Sequence, residues 1–322
     1  MKTPTKKVLS LLLAAATVVA CTLSLSSCGK KKEYTVGICQ LVRHEALDAA
    51  TQGFKDALTE ALGAENVTFI EQNAQNDTNA CSTIVTDFVS KKVDLIMANA
   101  TPALQAAFNA TTTIPVLGTS ITEYGVALDI PDFNGTVGGN VSGTSDLAPL
   151  TEQADMILEL FPDAKNVGLI YCSAEPNSEY QVKVIEEYLT DKGLTCTRFS
   201  FSDSNDISAV TTAAAAQSDV IYIPTDNTAA SCSETIGNIV REKKVPVVAG
   251  EQGICAGCGV ATLSISYYDL GVKTGEMAAK ILKGEEKISE MPVEYATATK
   301  MYNPAICEEL GITVPEGYTA IE

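Results

Sequence analysis

The chain of 322 residues is long enough for two domains of ordinary size, and its 46% hydrophobic residues can form sizeable cores. Asp and Glu outnumber Lys and Arg by 40 to 22, which gives a formal net charge of −18. So acidic a surface repels nucleic acid phosphates, and a single histidine, His44, argues against a His-rich metal site or a Ser-His-Asp triad. We therefore expect a globular protein with no nucleic acid partner, no metal and no cofactor.

The first 27 residues have the pattern of a bacterial secretory signal. Three lysines within the first seven residues precede an apolar run from Val8 to Ala20, which is too short for a comfortable membrane span. Leu25-Ser26-Ser27-Cys28 then resembles a lipobox, so we predict that residues 1–27 are a signal peptide and that Cys28 is lipidated. Cys21 is an alternative lipidation site, and an uncleaved N-terminal anchor is a further alternative.

Residues 28–33 are expected to be a charged tether between the lipid and the body of the protein. A diacyl group on the cysteine and an acylated amine give more than one chain, which is enough for stable anchoring. No later segment approaches 18 consecutive apolar residues. The sequence therefore predicts a lipoprotein that is anchored on the extracytoplasmic face of a bacterial cell membrane.

From Tyr34 onward, short apolar runs alternate with amphipathic helical patterns. In the first half, apolar residues at helical spacing from Leu47 to Ala61 predict a helix that ends at Gly63, and Thr101 is expected to cap a helix that has Pro102 in its first position. A further helix is marked by residues from Cys81 to Val89. The strands predicted in this half are Tyr34 to Gln40, Val67 to Glu71, Asp94 to Ala98 and Pro115 to Gly118.

The same order of strands and helices returns in the second half. The predicted strands are Asn166 to Tyr171, Leu194 to Phe199, Asp219 to Ile223 and Val245 to Ala249. The predicted helices are Ser178 to Lys192, Asp206 to Gln217, Thr228 to Glu242 and Tyr267 to Lys283.

Strands that alternate with helices imply parallel sheets with helices on both faces. The expected fold is therefore α/β, with two doubly wound parallel-sheet lobes joined by three crossovers, as in type I periplasmic binding proteins. The predicted crossovers are Gly138 to Asp146, Val260 to Ser266 and Pro292 to Ala298. They divide the chain into lobe 1, residues 34–142 plus 265–291, and lobe 2, residues 143–264 plus 292–322.

Seven short stretches resemble, in the same order, the ABC-transporter substrate-binding family whose characterised members include tryptophan, phenylalanine and tyrosine binders. They are His44-Glu45-Ala46-Leu47-Asp48, Asn73-Ala74-Gln75-Asn76-Asp77, Ala100-Thr101-Pro102-Ala103, Gly143-Thr144-Ser145-Asp146-Leu147, Glu175-Pro176-Asn177-Ser178, Pro224-Thr225-Asp226-Asn227 and Tyr267-Tyr268-Asp269-Leu270-Gly271. The resemblance implies a lipoprotein that hands a small molecule to a membrane permease driven by an ATPase subunit. It favours an aromatic amino acid as the ligand but leaves open a branched-chain amino acid, a sugar, a nucleoside or a ligand-sensing receptor subunit.

Most of these stretches lie where predicted strands end, which is the edge at which doubly wound sheets bind ligands. The candidate ligand-binding residues are His44, Gln75, Thr101, Ser120, Asn177, Ser178, Thr225, Asp226, Asn227, Glu251 and Tyr267.

A zwitterionic amino acid needs one receptor for its carboxylate and another for its ammonium. The helix starts at Thr101 and at Asn177-Ser178 present unpaired N–H groups that suit a carboxylate. Asp226 is expected to accept the ammonium, with Glu251 next in line, although Asp226 can equally be a helix cap. Glu175 is expected to be a solvated loop charge, and Tyr267 can line the cleft or pack on the lobe crossing.

Eight cysteines lie in the exported body, and Cys255 and Cys258 have the spacing of a redox motif or half a zinc site. We expect this pair in a Gly-rich loop before a strand, as a local disulfide or as free thiols, and not as a catalytic pair. No G-x-S-x-G motif occurs. The sequence therefore predicts a binding protein and not an enzyme.

Overall fold

The computed structural model describes residues 33–321. The expectations for the signal peptide, for the tether up to residue 32 and for lipidation at Cys28 or Cys21 lie outside the described residues. The chain from Tyr34 onward forms one compact unit with two sheets, each of which organises one lobe.

Lobe 1 is built on a six-stranded sheet with the strand order β11-β5-β4-β3-β1-β2. Its strands are β1 (Tyr34–Gln40), β2 (Val67–Asn73), β3 (Leu95–Asn99), β4 (Val116–Ile121), β5 (Val141–Ser145) and β11 (Glu294–Tyr295). Its helices are α1 (Glu45–Leu62), α2 (Thr78–Lys91), α3 (Thr101–Ala110), α4 (Tyr124–Leu128) and α11 (Tyr267–Lys283).

Lobe 2 is built on a seven-stranded sheet with the strand order β13-β12-β10-β9-β8-β6-β7. Its strands are β6 (Asn166–Cys172), β7 (Thr195–Phe201), β8 (Val220–Ile223), β9 (Val247–Ala249), β10 (Ala261–Ser264), β12 (Thr299–Tyr302) and β13 (Thr319–Ala320). Its helices are α5 (Leu150–Leu160), α6 (Pro176–Asp191), α7 (Ile207–Ala215), α8 (Asn227–Ser231), α9 (Ser233–Lys243), α10 (Gln252–Cys258) and α12 (Pro304–Leu310).

Both sheets bury hydrophobic side chains on each of their faces. In β1, Val36 and Ile38 pack in a cluster with α1 and α11, whereas Cys39 faces a separate cluster with α2 and α3. This alternation follows from the period of two along a strand. In lobe 2, Leu169 and Ile170 of β6 face opposite clusters in the same way. The two doubly wound lobes and the α/β class that the sequence predicts are confirmed.

The strand bounds show where the predicted crossovers differ from the structure. The segments predicted as crossovers contain β5, β10 and β11, which are paired within the sheets. Residues 143–145 and 294–295 therefore belong to the sheet of lobe 1, although the sequence analysis places them in lobe 2. In addition, β12 runs antiparallel to β10, so the sheet of lobe 2 is not wholly parallel.

Three local predictions were wrong. The helix predicted from Thr228 to Glu242 is broken at Cys232 into α8 and α9. Ala100, with a φ of 87°, occupies the cap position of α3, so Thr101 is the first helical residue. Cys255 and Cys258 lie in helix α10 and not in a loop, because the Glu251 carboxylate accepts hydrogen bonds from the backbone of Gly253 and Ile254 and starts a helix there.

Helix α11 completes lobe 1 by packing closely along α1. A Cβ atom on Gly53 of α1 would lie 2.1 Å from the carbonyl oxygen of Tyr268, and one on Gly271 of α11 would lie 2.0 Å from that of Ala50. Only glycine permits this approach of two helix backbones. A segment that follows most of lobe 2 in the chain is therefore an integral layer of lobe 1.

Among residues 33–321, none of the helices combines the length and apolar character that a membrane crossing requires. In the same part of the chain, no group of three or more His, Cys, Asp or Glu side chains is placed to hold a metal ion.

Candidate functional site

A cavity lies between the lobes at the carboxyl ends of the parallel strands. Its internal volume is only about 10 Å³, and it is adjoined by two larger depressions that open to solvent and share lining residues with it. Its lining residues come from both lobes and are His44, Leu47, Ser120, Thr122, Asp146, Asn177, Thr225, Asp226, Asn227, Ala230, Glu251 and Tyr267.

The structure brings eight of the eleven predicted site residues to this cavity. They are His44, Ser120, Asn177, Thr225, Asp226, Asn227, Glu251 and Tyr267. Gln75 is exposed on the loop after β2, and Thr101 and Ser178 are buried in the first turns of α3 and α6 without lining the cavity. Of the two helix starts expected to hold a carboxylate, only that of α6 reaches the cavity, through Asn177.

Local backbone geometry places the lobe 1 residues. His44 is the cap residue of α1, in an extended conformation four residues after β1 ends. Ser120 has a φ of 56° within a register shift of β4 between Gly118 and Ile121. A left-handed residue at such an irregularity is strained and is common at functional sites.

Asp226 and Glu251 cap short helices at the wall of the cavity. The two carboxylate oxygens of Asp226 accept hydrogen bonds from the backbone of Ala229, at 2.8 Å, and of Cys172, at 2.6 Å. Those of Glu251 accept from the backbone at the start of α10. Both carboxylates therefore already have partners on each oxygen.

Asp146 is a buried carboxylate in the cavity that the sequence analysis did not select. It follows β5 directly and is 4% exposed. Its Oδ2 accepts a hydrogen bond of 2.9 Å from the Tyr267 hydroxyl, whereas its Oδ1 is buried with no hydrogen-bond partner among the described residues. In the sequence it lies in the family-like stretch from Gly143 to Leu147, which is the signal that could have identified it.

The three carboxyl groups share an electrostatic environment that disfavours their charges. Burial raises the pKa of Asp146 to about 6 and that of Glu251 to about 7. Burial, together with the nearby charge of Glu175, raises the pKa of Asp226 to about 8. No Lys or Arg is among the residues that line the cavity. A cation placed there would favour the ionised form of all three groups.

Unsatisfied polar atoms concentrate at the same place. Seven buried side-chain atoms in the described part of the chain have no hydrogen-bond partner, and four of them belong to cavity residues. They are His44 Nδ1, Ser120 Oγ, Asp146 Oδ1 and Asn177 Oδ1. Because buried polar groups are otherwise almost always paired, this cluster indicates a site for a polar ligand.

The lobes contact each other across the cavity. His44 Nε2 lies 3.3 Å from Asn227 Oδ1, and Asn76 Nδ2 donates a 3.0 Å hydrogen bond to Thr228 Oγ1. Asn227 and Thr228 are in turn held by Glu175, which is 4% exposed and accepts hydrogen bonds from both. The expectation that Glu175 is a solvated loop charge is therefore wrong.

The cysteines form no disulfide within residues 33–321. The eight cysteines among the described residues are free thiols. Burial raises the pKa of both Cys255 and Cys258, and Cys258 Sγ lies 3.2 Å from the backbone oxygen of Ile254. A buried thiol with a raised pKa is a poor nucleophile.

The chain is similar to proteins of one known family. Residues 35–320 match the family described as ABC transporter substrate binding protein. A tyrosine-binding protein of Clostridioides difficile is 34% identical over 313 residues, which cover 92% of this chain and 89% of that protein.

Two solved structures have similar folds. An ABC domain in complex with L-Trp from Streptococcus pneumoniae is 33% identical, with a TM-score of 0.85 over 90% of this chain and 100% of that one. The ligand-free, open structure of a substrate binding protein with adhesive properties from Clostridium difficile is 38% identical, with a TM-score of 0.68 over 90% of this chain and 99% of that one. The structure described as open has the lower TM-score although its sequence identity is higher. This agrees with the contacts that join the two lobes in the present structure.

Proposed function

Because this chain belongs to the ABC transporter substrate binding protein family, we propose that it captures an α-amino acid between its lobes and delivers it to a membrane permease driven by an ATPase. An aromatic amino acid is the favoured ligand. Proteins of this family work outside the cytoplasm, and we propose that this one is held there by a lipid on Cys28.

The observation that carries the proposal is the set of three buried carboxyl groups in a cavity whose lining contains no Lys or Arg. An ammonium group relieves this arrangement, whereas a neutral sugar or nucleoside does not. Among the three, only Asp146 keeps an oxygen without a partner in the described chain. We therefore assign the ammonium to Asp146, with Asp226 and Glu251 as supporting charges, in place of the direct role for Asp226 that the sequence suggests.

The remaining parts of an amino acid find partners of matching chemistry. The Ser120 hydroxyl has no other partner in the described residues and can donate to a carboxylate. Leu47, Ala230 and the ring of Tyr267 supply apolar surface for a side chain. Preference for an aromatic side chain is supported by the relative named for tyrosine and by the structure that contains L-Trp.

Calorimetry on residues 34–322 tests the proposed ligand. L-Tyrosine, L-tryptophan and L-phenylalanine are titrated beside leucine, valine, glucose and a nucleoside. For tyrosine, 3-(4-hydroxyphenyl)propionate serves as the matched analogue without an amine. We expect an amino acid to bind and the analogue to bind at least about tenfold more weakly, because a charge-assisted hydrogen bond is lost. Saturable binding of glucose or the nucleoside, with no binding of any amino acid, would contradict the proposal.

Lipidation is tested in cells with a fatty-acid analogue. We expect labelling to disappear in Cys28→Ala and to persist in Cys21→Ala, because the residues before Cys28 fit a lipobox better. The reverse pattern would move the anchor to Cys21.

A further inference from the structure

We propose that Glu175, which does not line the cavity, is a positioning residue that sets the hydrogen-bonding state of His44 and joins ligand capture to closure of the lobes. The proposal rests on the proposed function, since it concerns how that same cavity is formed when the lobes close.

One carboxylate links the loops that follow β6 and β8 in lobe 2. Glu175 Oε2 accepts hydrogen bonds from Asn227 N at 3.0 Å, Asn227 Nδ2 at 2.7 Å and Asn177 Nδ2 at 3.2 Å. Its Oε1 accepts from Thr228 N at 2.9 Å and from Thr228 Oγ1 at 2.8 Å. Five donors on one buried carboxylate hold the side chains that donate to it in fixed orientations.

The orientation of Asn227 determines the state of His44. Because the Asn227 amide nitrogen is bound to Glu175, its Oδ1 is the atom that faces His44 Nε2 at 3.3 Å. A carbonyl oxygen only accepts, so the proton of the imidazole must be on Nε2. Burial lowers the pKa of His44, which favours a neutral ring. His44 Nδ1 is then an acceptor without a partner among the described residues, and His44 lines the cavity.

The orientation of Thr228 determines the second contact between the lobes. The single hydroxyl proton of Thr228 is directed to Glu175 Oε1, so its oxygen is free to accept from Asn76 Nδ2 at 3.0 Å. Asn76 follows β2 in lobe 1, in a loop held by the hydrogen bond from Asn76 N to Leu41 O. These two hydrogen bonds across the cleft therefore end on side chains that Glu175 orients.

The Glu175 carboxylate also orients Asn177, which lines the cavity. Asn177 Nδ2 donates to Glu175 and to Thr225 O, which leaves Asn177 Oδ1 as another acceptor without a partner in the described chain. With Asp146 Oδ1 and His44 Nδ1, the cavity presents three unpartnered acceptors. A group with several N–H donors, such as an ammonium, complements them. Glu175 thus gives the closed cavity its preference for donors.

A purely structural role for Glu175 is the competing explanation. Glu175 accepts from the first two backbone N–H groups of α8, and Asp226 accepts from the third, so the pair also caps that helix. Such a role affects stability alone. The state of His44 and the rate at which ligand leaves separate the two explanations.

His44 is the only histidine of the chain, so its ring nitrogens give unambiguous ¹⁵N NMR signals in a protein without a histidine tag. We record them for residues 34–322 of the wild type and of Glu175→Gln, with and without L-tyrosine, while scattering reports lobe closure. We expect the Nε2–H tautomer in the closed wild type and a mixture of tautomers in the variant. Wild-type shifts in Glu175→Gln, or an Nδ1–H tautomer in the closed wild type, would overturn the proposal.

Stopped-flow binding of L-tyrosine tests the link to closure. In Asn76→Ala we expect the dissociation rate to rise about 3- to 10-fold with little change in the association rate, since one hydrogen bond of the closed form is lost. In Glu175→Gln we expect the dissociation rate to rise by at least as much. Asn79→Ala, at an exposed asparagine in the first turn of α2 nearby, is the matched control and should behave as the wild type.

Asn76 is itself exposed, so Asn76→Ala keeps the test valid even if Glu175→Gln does not fold. An unchanged dissociation rate in Asn76→Ala contradicts the closure contact. If Glu175→Gln only melts at a lower temperature and keeps the wild-type binding rates and His44 tautomer, Glu175 acts only as a helix cap. If the wild type does not bind L-tyrosine, the proposed aromatic ligand is contradicted. The tautomer comparison without ligand then still decides on the role of Glu175, so failure of the proposed function and failure of the role of Glu175 are distinguishable.

Discussion

Replacing Asp146 with alanine is expected to weaken the binding of an α-amino acid by about 10- to 150-fold. Asp146 Oδ1 is the one oxygen among the three cavity carboxylates that lacks a partner in the described chain, so it is free to accept the ligand's ammonium. A hydrogen bond to a charged group in a site closed to water contributes roughly 1.5–3 kcal/mol. Calorimetry with L-tyrosine or L-tryptophan measures the loss.

Two variants serve as controls for this measurement. Asp146→Asn should recover only part of the affinity, because an amide oxygen still accepts a hydrogen bond but carries no charge. Asp226→Ala removes the cap of α8 and the bond to Cys172 N, so we expect a lower melting temperature and a smaller loss of affinity. Should Asp226→Ala lose more affinity than Asp146→Ala while remaining folded, the assignment made from sequence is the correct one.

Ligand affinity is expected to fall about tenfold between pH 8 and pH 5. Burial raises the pKa of Asp146 to about 6, so only about one Asp146 in ten is ionised at pH 5 in the ligand-free protein. The ammonium binds the ionised form, hence ligand binding releases a proton and is favoured as the pH rises through this pKa. The charges of a free amino acid do not change over this range, so the dependence arises in the protein. Calorimetry at several pH values in buffers of different ionisation enthalpy measures both the affinity and the proton release.

The groups that face Asp146 determine the shape of this dependence. The Tyr267 hydroxyl on α11 donates to Asp146, and Glu251 lies in the same cavity wall with a pKa raised to about 7 by burial. If the ammonium also lowers the pKa of Glu251 or Asp226, ligand binding releases more than one proton. The affinity then depends on pH more steeply than tenfold per pH unit. In Asp146→Asn the decline near pH 6 should disappear. An affinity that stays constant from pH 5 to pH 8 in the wild type would contradict an ionised Asp146 as the receptor.

The sequence predicts an element well where the element carries its own boundaries. The predicted bounds of β1 and α11 are the observed ones, because an apolar β-branched run and a helical pattern that ends at Gly284 are local properties. In contrast, β5 reads Val-Ser-Gly-Thr-Ser and has little apolar content of its own. It is a strand because its neighbours in the sheet pair with it and bury it. Its own sequence does not show this, so the segment was predicted to be a crossover.

The same distinction explains which site residues were predicted. Most predicted residues follow strands that were recognised, whereas Asp146 follows β5, which was not. Glu175 was misjudged because the partners that make its burial tolerable, Asn227 and Thr228, are about 50 residues away in sequence. The break at Cys232 likewise has no local helix breaker, since no Gly or Pro lies within four residues of it. The ligand contacts themselves stay predictions until binding is measured.

The close packing of α11 on α1 also determines the order in which the two lobes can fold. The Tyr34 hydroxyl donates to the backbone oxygen of Leu282, a contact between residues 248 positions apart. A chain delivered from its N-terminus has therefore emerged almost completely before α11 can cover the apolar face of α1. Lobe 2 needs only the short segment that carries β12, α12 and β13 after that point, and most of its sheet is contiguous in sequence. The apolar face of α1 therefore stays uncovered until residues 267–283 have emerged, which exposes that face to aggregation during folding.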